Sequence, residues 1–123
     1  MTDPNFIILY VDSPANSAQF YAGILETPPI EASPTFIMFA LASGVMLGLW
    51  ARASVAPATT VSAGSGELAF ALANNDRVNA KYADWCERSL PIAQTPVQMD
   101  FGYTFVALDP DGHRLRVFAP SGQ

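Results

Sequence analysis

The chain has 123 residues, of which 50% are apolar and 14% are charged, and its formal net charge is −5. This balance predicts one folded unit, and six scattered basic residues argue against nucleic acid or an anionic membrane as a partner. No apolar run approaches the roughly 20 residues of a membrane span, and the first residues lack a signal-peptide pattern. The single cysteine permits neither an internal disulfide nor a cysteine-based metal cage. We therefore expect a cytoplasmic protein.

The first half of the chain predicts a strand, a helix and three further strands. The strand is "NFIILYV", which is rich in β-formers. Ser13 suits the N-cap and Pro14 the first position of the helix, where a missing N–H costs nothing. The segments "PPIEAS", "TFIMFAL" and "GVMLGLWA" are short strand candidates separated by Pro, Ser and Gly. We take residues 5–51 as the first module.

The second half repeats this order. Residues 52–65, "RASVAPATTVSAGS", lack periodicity and are predicted to be a linker. "GELAFALA" is then a strand, "NNDRVNAKYADWCERS" a helix with Trp85 in its apolar stripe, and three strands follow in "IAQTPVQM", "GYTFVALD" and "HRLRVFA". The "DPDG" before the last strand favours a tight turn. Residues 66–120 form the second predicted module, and the repetition indicates a pseudo-symmetric fold.

Alternation divides the duplicated strands into two faces. One set is uniformly apolar and is expected under the helices: Ile7, Leu9, Val11, Val45, Leu47, Leu49, Leu68, Phe70, Leu72, Leu115 and Val117. The other mixes aromatic, small and charged residues: Phe6, Ile8, Tyr10, Met46, Gly48, Trp50, Glu67, Ala69, Ala71, Arg114, Arg116 and Phe118. A mixed face of this kind indicates a ligand cavity. The alternative is a half-solvated sheet covered by a partner subunit.

The sequence resembles the vicinal oxygen chelate superfamily in an ordered set of features: the paired modules, "FY" on the first helix and "DPDGH" before the last strand. That superfamily includes glyoxalase I, extradiol dioxygenases and bleomycin-resistance proteins. The segments "LYVDSPANSAQFY", "GLW" and "FGYTFVALDPDGHRLRV" are most similar to phenazine-antibiotic-resistance proteins, which bind drugs without chemistry. The resemblance implies an α+β fold of two βαβββ modules in a curved, barrel-like mixed sheet, and a homodimer.

Enzymes of that superfamily hold a divalent metal with one His or Glu from each of four strands. The resemblance places these positions at Phe6, Gly48, Glu67 and Arg116. Phenylalanine and glycine offer no ligand atom, and arginine is a permanent cation that repels a metal. One carboxylate cannot build an octahedral site, so we expect neither metal nor cofactor.

The predicted ligand-binding residues are Trp50, Tyr10, Phe6, Gly48, Met46, Glu67, Arg116 and Phe118. Trp50 is expected to stack on a flat ring in the space left by Gly48. Arg116 pairs with Glu67 or anchors an anionic group of the ligand, and both options stay open. His113, the single histidine, is expected to have a structural or surface role rather than a catalytic one, and Trp85 is expected in the core.

The resulting prediction is metal-independent binding and sequestration of a planar, aromatic, phenazine-like molecule, with no catalytic residue. One alternative is a glyoxalase- or dioxygenase-type enzyme with an atypical site. The other is a structural or regulatory dimer with an unfilled cavity. Serine and cysteine hydrolases lack support, because no "GxSxG" motif and no His near Cys86 in sequence are present.

Overall fold

Two βαβββ modules make up the computed structural model, which describes residue 2 and residues 4–121. The first module contains β1 (Phe6–Val11), α1 (Pro14–Leu25), β2 (Glu31–Ala32), β3 (Phe36–Ala40) and β4 (Met46–Ala51). The second contains β5 (Glu67–Ala71), α2 (Asn75–Glu87), β6 (Ile92–Met99), β7 (Gly102–Leu108) and β8 (Arg114–Pro120). The predicted α+β class and the predicted element order are confirmed.

The strands pair into two mixed four-stranded sheets. Their orders are β1-β4-β3-β2 and β5-β8-β7-β6, and in each sheet the first and last strands of the module run parallel while the other pairs are antiparallel. Among the described residues each sheet ends in two edge strands that pair on one side only, so neither sheet closes on itself. The expected barrel-like sheet is therefore present as two open sheets that are not closed into a barrel.

The chain divides into two compact units, one reaching Gly64 and the other beginning at Ser65. Residues 52–65, the predicted linker, begin with a short 3-10 turn at Arg52–Ser54. The Arg52 Nε donates a hydrogen bond to the Val61 carbonyl at 2.8 Å, which ties this segment together within the first unit. Neither described helix is long and apolar enough to cross a membrane.

Both helices begin at a side-chain cap. The Ser13 hydroxyl accepts a hydrogen bond from the Asn16 backbone N–H, and Pro14 occupies the first turn, as predicted. The Asn74 side chain does the same for the Arg77 N–H at the start of α2. The connections from β1 to α1 and from β5 to α2 therefore both end in a side-chain N-cap, formed by Ser13 in one and Asn74 in the other.

The predicted helix-facing set forms much of the core in each unit. Leu9, Val11, Leu47 and Leu49 are buried in the first unit, and Leu115 and Val117 in the second. Trp85 lies buried against Phe70 and Phe105 in edge-to-face contacts, which confirms its place in the core. Ile7 departs from the prediction: it is exposed near the start of β1.

Candidate functional site

The open face of the first sheet is largely apolar and rich in rings. The strand register places ten residues on it: Phe6, Ile8 and Tyr10 from β1, Met46, Gly48 and Trp50 from β4, Phe36, Met38 and Ala40 from β3, and the exposed Glu31 from β2, which lies opposite Met38. We call this set the aromatic face. Phe6 and Ile8 are 41% and 42% exposed, and Tyr10, Met46 and Trp50 are partly exposed. Five of the eight predicted binding residues meet here.

Trp50 is the centre of the ring contacts on the aromatic face. Its ring centroid lies 6.4 Å from that of Tyr10 and 6.3 Å from that of Phe36, with interplanar angles of 79° and 88°. Edge-to-face contacts on two sides fix the orientation of the indole. The indole of Trp50 is therefore a positioned and partly exposed plane.

Gly48 does not leave an empty space beside Trp50, and this corrects the expectation drawn from the sequence. A Cβ added to Gly48 would lie 2.7 Å from Phe36 Cζ and 3.0 Å from Phe6 Cε1. The rings of Phe36 and Phe6 reach over the glycine from the two neighbouring strands. Gly48 is buried beneath them.

Phe36 is one of four residues of this face that sequence reasoning missed, the others being Met38, Ala40 and Glu31. It begins "FIMFA" on β3, a segment identified as a strand but never divided between its two faces. Alternation within that strand would have placed Phe36 and Met38 with the open side. The signal was present in the sequence.

The remaining predicted residues, Glu67, Arg116 and Phe118, lie together in the second unit. The Arg116 Nε donates to Glu67 Oε1 at 2.8 Å, so the predicted ion pair is present. The side chains of Arg116 and Glu67 are 18% and 39% exposed, so the pair is partly solvated. Screening by water therefore limits the strength of this pair.

Two further side chains hold the Arg116 guanidinium. Nη1 donates to the Thr104 hydroxyl at 3.4 Å, and the Phe101 ring centroid lies 5.5 Å from the guanidinium carbon. Phe101 also meets Phe118 edge to face. Neither Thr104 nor Phe101 was predicted as a site residue. Phe101 lies in the turn between β6 and β7, and only the folding of the chain brings it to Arg116.

His113 is buried in the turn before β8, with Asp109 as its partner. Asp109 Oδ1 accepts from the backbone N–H groups of Asp111 and His113, and Oδ2 lies 2.9 Å from His113 Nδ1. The structural role expected for His113 agrees with these contacts. Asp109, Asp111 and His113 each place one possible ligand atom within 4.8 Å of the others. Asp109 Oδ1 is engaged by two backbone N–H groups, and Oδ2 is in contact with His113 Nδ1.

The four positions that the resemblance assigns to a metal do not fit one. Phe6 and Gly48 carry no donor atom, and rings cover the glycine. The Glu67 carboxylate is bonded to Arg116, whose charge opposes a cation. The side chains at these positions therefore cannot hold a divalent ion in the manner of the enzymes of the family.

Comparison with known proteins agrees with this architecture. A family model described as the Glyoxalase/Bleomycin resistance protein/Dioxygenase superfamily matches residues 4–117. A phenazine antibiotic resistance protein of Enterobacter agglomerans is 26% identical over 117 residues, which cover 93% of this chain and 89% of that protein.

Solved structures give the same result. A protein from Agrobacterium tumefaciens, determined by solution NMR, is 50% identical with a TM-score of 0.86, and the match covers 99% of this chain and 100% of that one. A glyoxalase/bleomycin resistance protein/dioxygenase from Nocardioides shares the fold at 21% identity and a TM-score of 0.83, covering 100% and 87% of the two chains. Because the family model spans nearly the whole chain, the protein belongs to the Glyoxalase/Bleomycin resistance protein/Dioxygenase superfamily.

Proposed function

We propose that this protein binds and sequesters a planar aromatic small molecule, of the phenazine type, without transforming it. The observation that carries the proposal is the aromatic face. Its members on β1, β3 and β4 are all uncharged, and several are partly exposed around a positioned indole, while the one carboxylate, Glu31, lies at the edge of the sheet on β2. An exposed apolar patch with rings is typical of a binding surface. The phenazine antibiotic resistance relative supports both the ligand class and a role in antibiotic resistance.

Stacking on Trp50 is the central contact of this proposal. Tyr10 meets the indole through an edge-to-face contact that orients its plane and does not involve Phe36. A flat ligand laid on that plane gains apolar burial and offset stacking. It needs neither a metal nor a nucleophile, which is consistent with the donor set at Phe6, Gly48, Glu67 and Arg116.

In the proposal the protein acts as a homodimer in the cytoplasm, with no nucleic acid or membrane as partner. Ile7 in the first unit and Val97 and Phe101 in the second lie outside the aromatic face and expose large apolar side chains that a second copy would cover. A pair of identical chains would be related by a twofold axis. Sedimentation velocity at micromolar concentration should give twice the chain mass, and a monomer there contradicts the dimer.

Fluorescence titration with phenazine tests the binding proposal. Quenching should be saturable in the wild type and in Trp85→Phe, because Trp85 is buried in the core. Trp50→Ala should weaken phenazine binding by about 1–3 kcal/mol, measured by calorimetry, since a ring contact in a desolvated site is lost. Equal affinity in Trp50→Ala and wild type contradicts the proposal, and turnover of phenazine by the purified protein favours the enzymatic alternative.

A further inference from the structure

Gly48 is the position of β4 on the aromatic face that lacks a side chain, and rings from both neighbouring strands meet above it. Phe6 reaches it from β1 and Phe36 from β3, with centroids 6.5 Å apart and planes inclined by 33°. The nearest ring atoms to a Cβ built on Gly48 are Phe36 Cζ at 2.7 Å and Cε1 at 2.9 Å. These atoms belong to the far end of the Phe36 side chain.

The Phe36 ring leans away from its own position in the sheet. In the register Phe36 lies directly opposite Trp50, whereas Met38 lies opposite Gly48. The ring therefore covers Gly48 diagonally, and its tip rather than its backbone closes the space. Since Phe36 is only partly buried, rotation about its side-chain torsions can uncover Gly48 without moving β3.

We infer that Phe36 is a specificity-determining plug: its ring closes a slot above Gly48, between Phe6 and Trp50, that fused-ring planar ligands enter by displacing it. The inference deepens the proposed function and rests on it. Gly48 and Trp50 are two residues apart on one strand, a distance of about 6.6 Å. Three fused rings cover both positions, whereas a single ring covers one. The site therefore selects polycyclic over monocyclic aromatic ligands.

A purely structural role for Phe36 makes a different prediction. Aromatic rings can cover a strand glycine to protect its backbone, with no ligand involved. In that case removing the ring destabilises the sheet and does nothing for ligand affinity. In a plug, removing the ring removes the cost of opening the slot, and the affinity for the ligand that enters it rises.

The test compares wild type, Phe36→Ala, Phe36→Leu and the control Ile30→Ala, which removes an exposed apolar side chain of the same unit outside the aromatic face. Calorimetry with phenazine and with pyridine measures the three-ring and one-ring affinities. Phe36→Ala should tighten phenazine binding about tenfold, as expected if the open state is a minor one, and change pyridine binding less than twofold. Adding Gly48→Ala to Phe36→Ala should abolish the gain, because a methyl group then occupies the slot.

The outcomes separate the plug from the proposed function. If wild type binds phenazine and Phe36→Ala binds it no tighter than Ile30→Ala, the plug is wrong and the proposed function stands. If only Phe36→Ala binds phenazine, the slot exists and the proposed function of the wild type is wrong for that ligand. If no variant binds, both are wrong. Phe36→Leu, which retains apolar volume, gives a smaller gain and serves if Phe36→Ala does not fold.

Discussion

The two modules share a strand register and differ in what occupies it. Matching positions on the first, last and third strands of each module hold Phe6, Gly48 and Phe36 in one, and Glu67, Arg116 and Thr104 in the other. In the first module two rings cover a glycine, and in the second a carboxylate and a hydroxyl hold a guanidinium. Side chains at the same register positions therefore interact in two different ways: through dispersion between apolar groups in the first module, and through charge-assisted hydrogen bonds in the second. The first solution leaves the apolar surface on which the proposed flat ligand would lie.

The turns before the last strands repeat the contrast. Leu41 N donates to the Val45 carbonyl at 2.9 Å, and Asp109 N donates to the His113 carbonyl at 3.0 Å. Each turn contains a glycine with positive φ, Gly44 in one and Gly112 in the other. The backbones match, but an Asp–His contact reinforces the second turn where the first has Leu and Val. The second module thus has polar contacts around Arg116 and in the Asp109–His113 turn, where the first module has apolar side chains.

The largest effect is expected from Asp109→Ala. This change removes the acceptor for two backbone N–H groups and for the His113 ring in a buried turn. Leaving buried donors without a partner should cost about 3 kcal/mol in free energy of unfolding, measured by urea denaturation. Leu41→Ala, at the matching position of the other turn, should cost about 1 kcal/mol. Equal costs would mean that the polar contacts add nothing to the second turn.

Gly48→Val is the next largest perturbation. A branched side chain at this position meets the rings of Phe36 and Phe6, and overpacking of this kind costs about 2 kcal/mol. In a Phe36→Ala background the cost should fall by about half, because the nearest ring is gone. Gly23→Ala is the control: nothing lies near its Cβ, and alanine in a helix should stabilise by about 0.5–1 kcal/mol. An unchanged cost in the Phe36→Ala background would show that Phe36 does not occupy the space above Gly48.

The module repeat, the helix caps and the two faces of the strands were predictable because each rests on local chemistry or on a period of two. The position of Phe36 was also within reach, since it follows from alternation along β3. The contact between Phe101 and Arg116 was not, because it depends on how a turn folds back over β8. The prediction of an empty space at Gly48 was wrong for a related reason. A sequence shows which residue lacks a side chain but not which neighbouring side chain occupies the space.

A smaller effect is expected for the Glu67–Arg116 pair. Arg116→Met should destabilise by about 1–2 kcal/mol and Glu67→Gln by about 0.5 kcal/mol, since the carboxylate is more exposed than the guanidinium. The double variant should be more stable than the sum of the two costs predicts, by about 0.5–1 kcal/mol. Strict additivity in urea denaturation would mean that the 2.8 Å contact carries no net interaction.

The smallest expected effect is that of divalent metal ions, which should leave thermal stability unchanged. Neither module offers the donor set of the metal enzymes in this superfamily: the first has rings and a glycine, and the second has one carboxylate bonded to an arginine. A site occupied at a hundredfold excess over its dissociation constant would add about 2.7 kcal/mol, which raises the melting temperature of a domain this size by several degrees. Melting with excess Zn²⁺, Ni²⁺ or Mn²⁺ should therefore coincide with melting in a chelator. A shift that Glu67→Gln abolishes contradicts the loss of the metal site, whereas a shift that persists in Glu67→Gln and disappears in His113→Ala assigns the ion to the Asp109–His113 turn instead. The melting temperatures of Glu67→Gln and His113→Ala therefore measure whether the polar side chains of the second module bind an ion.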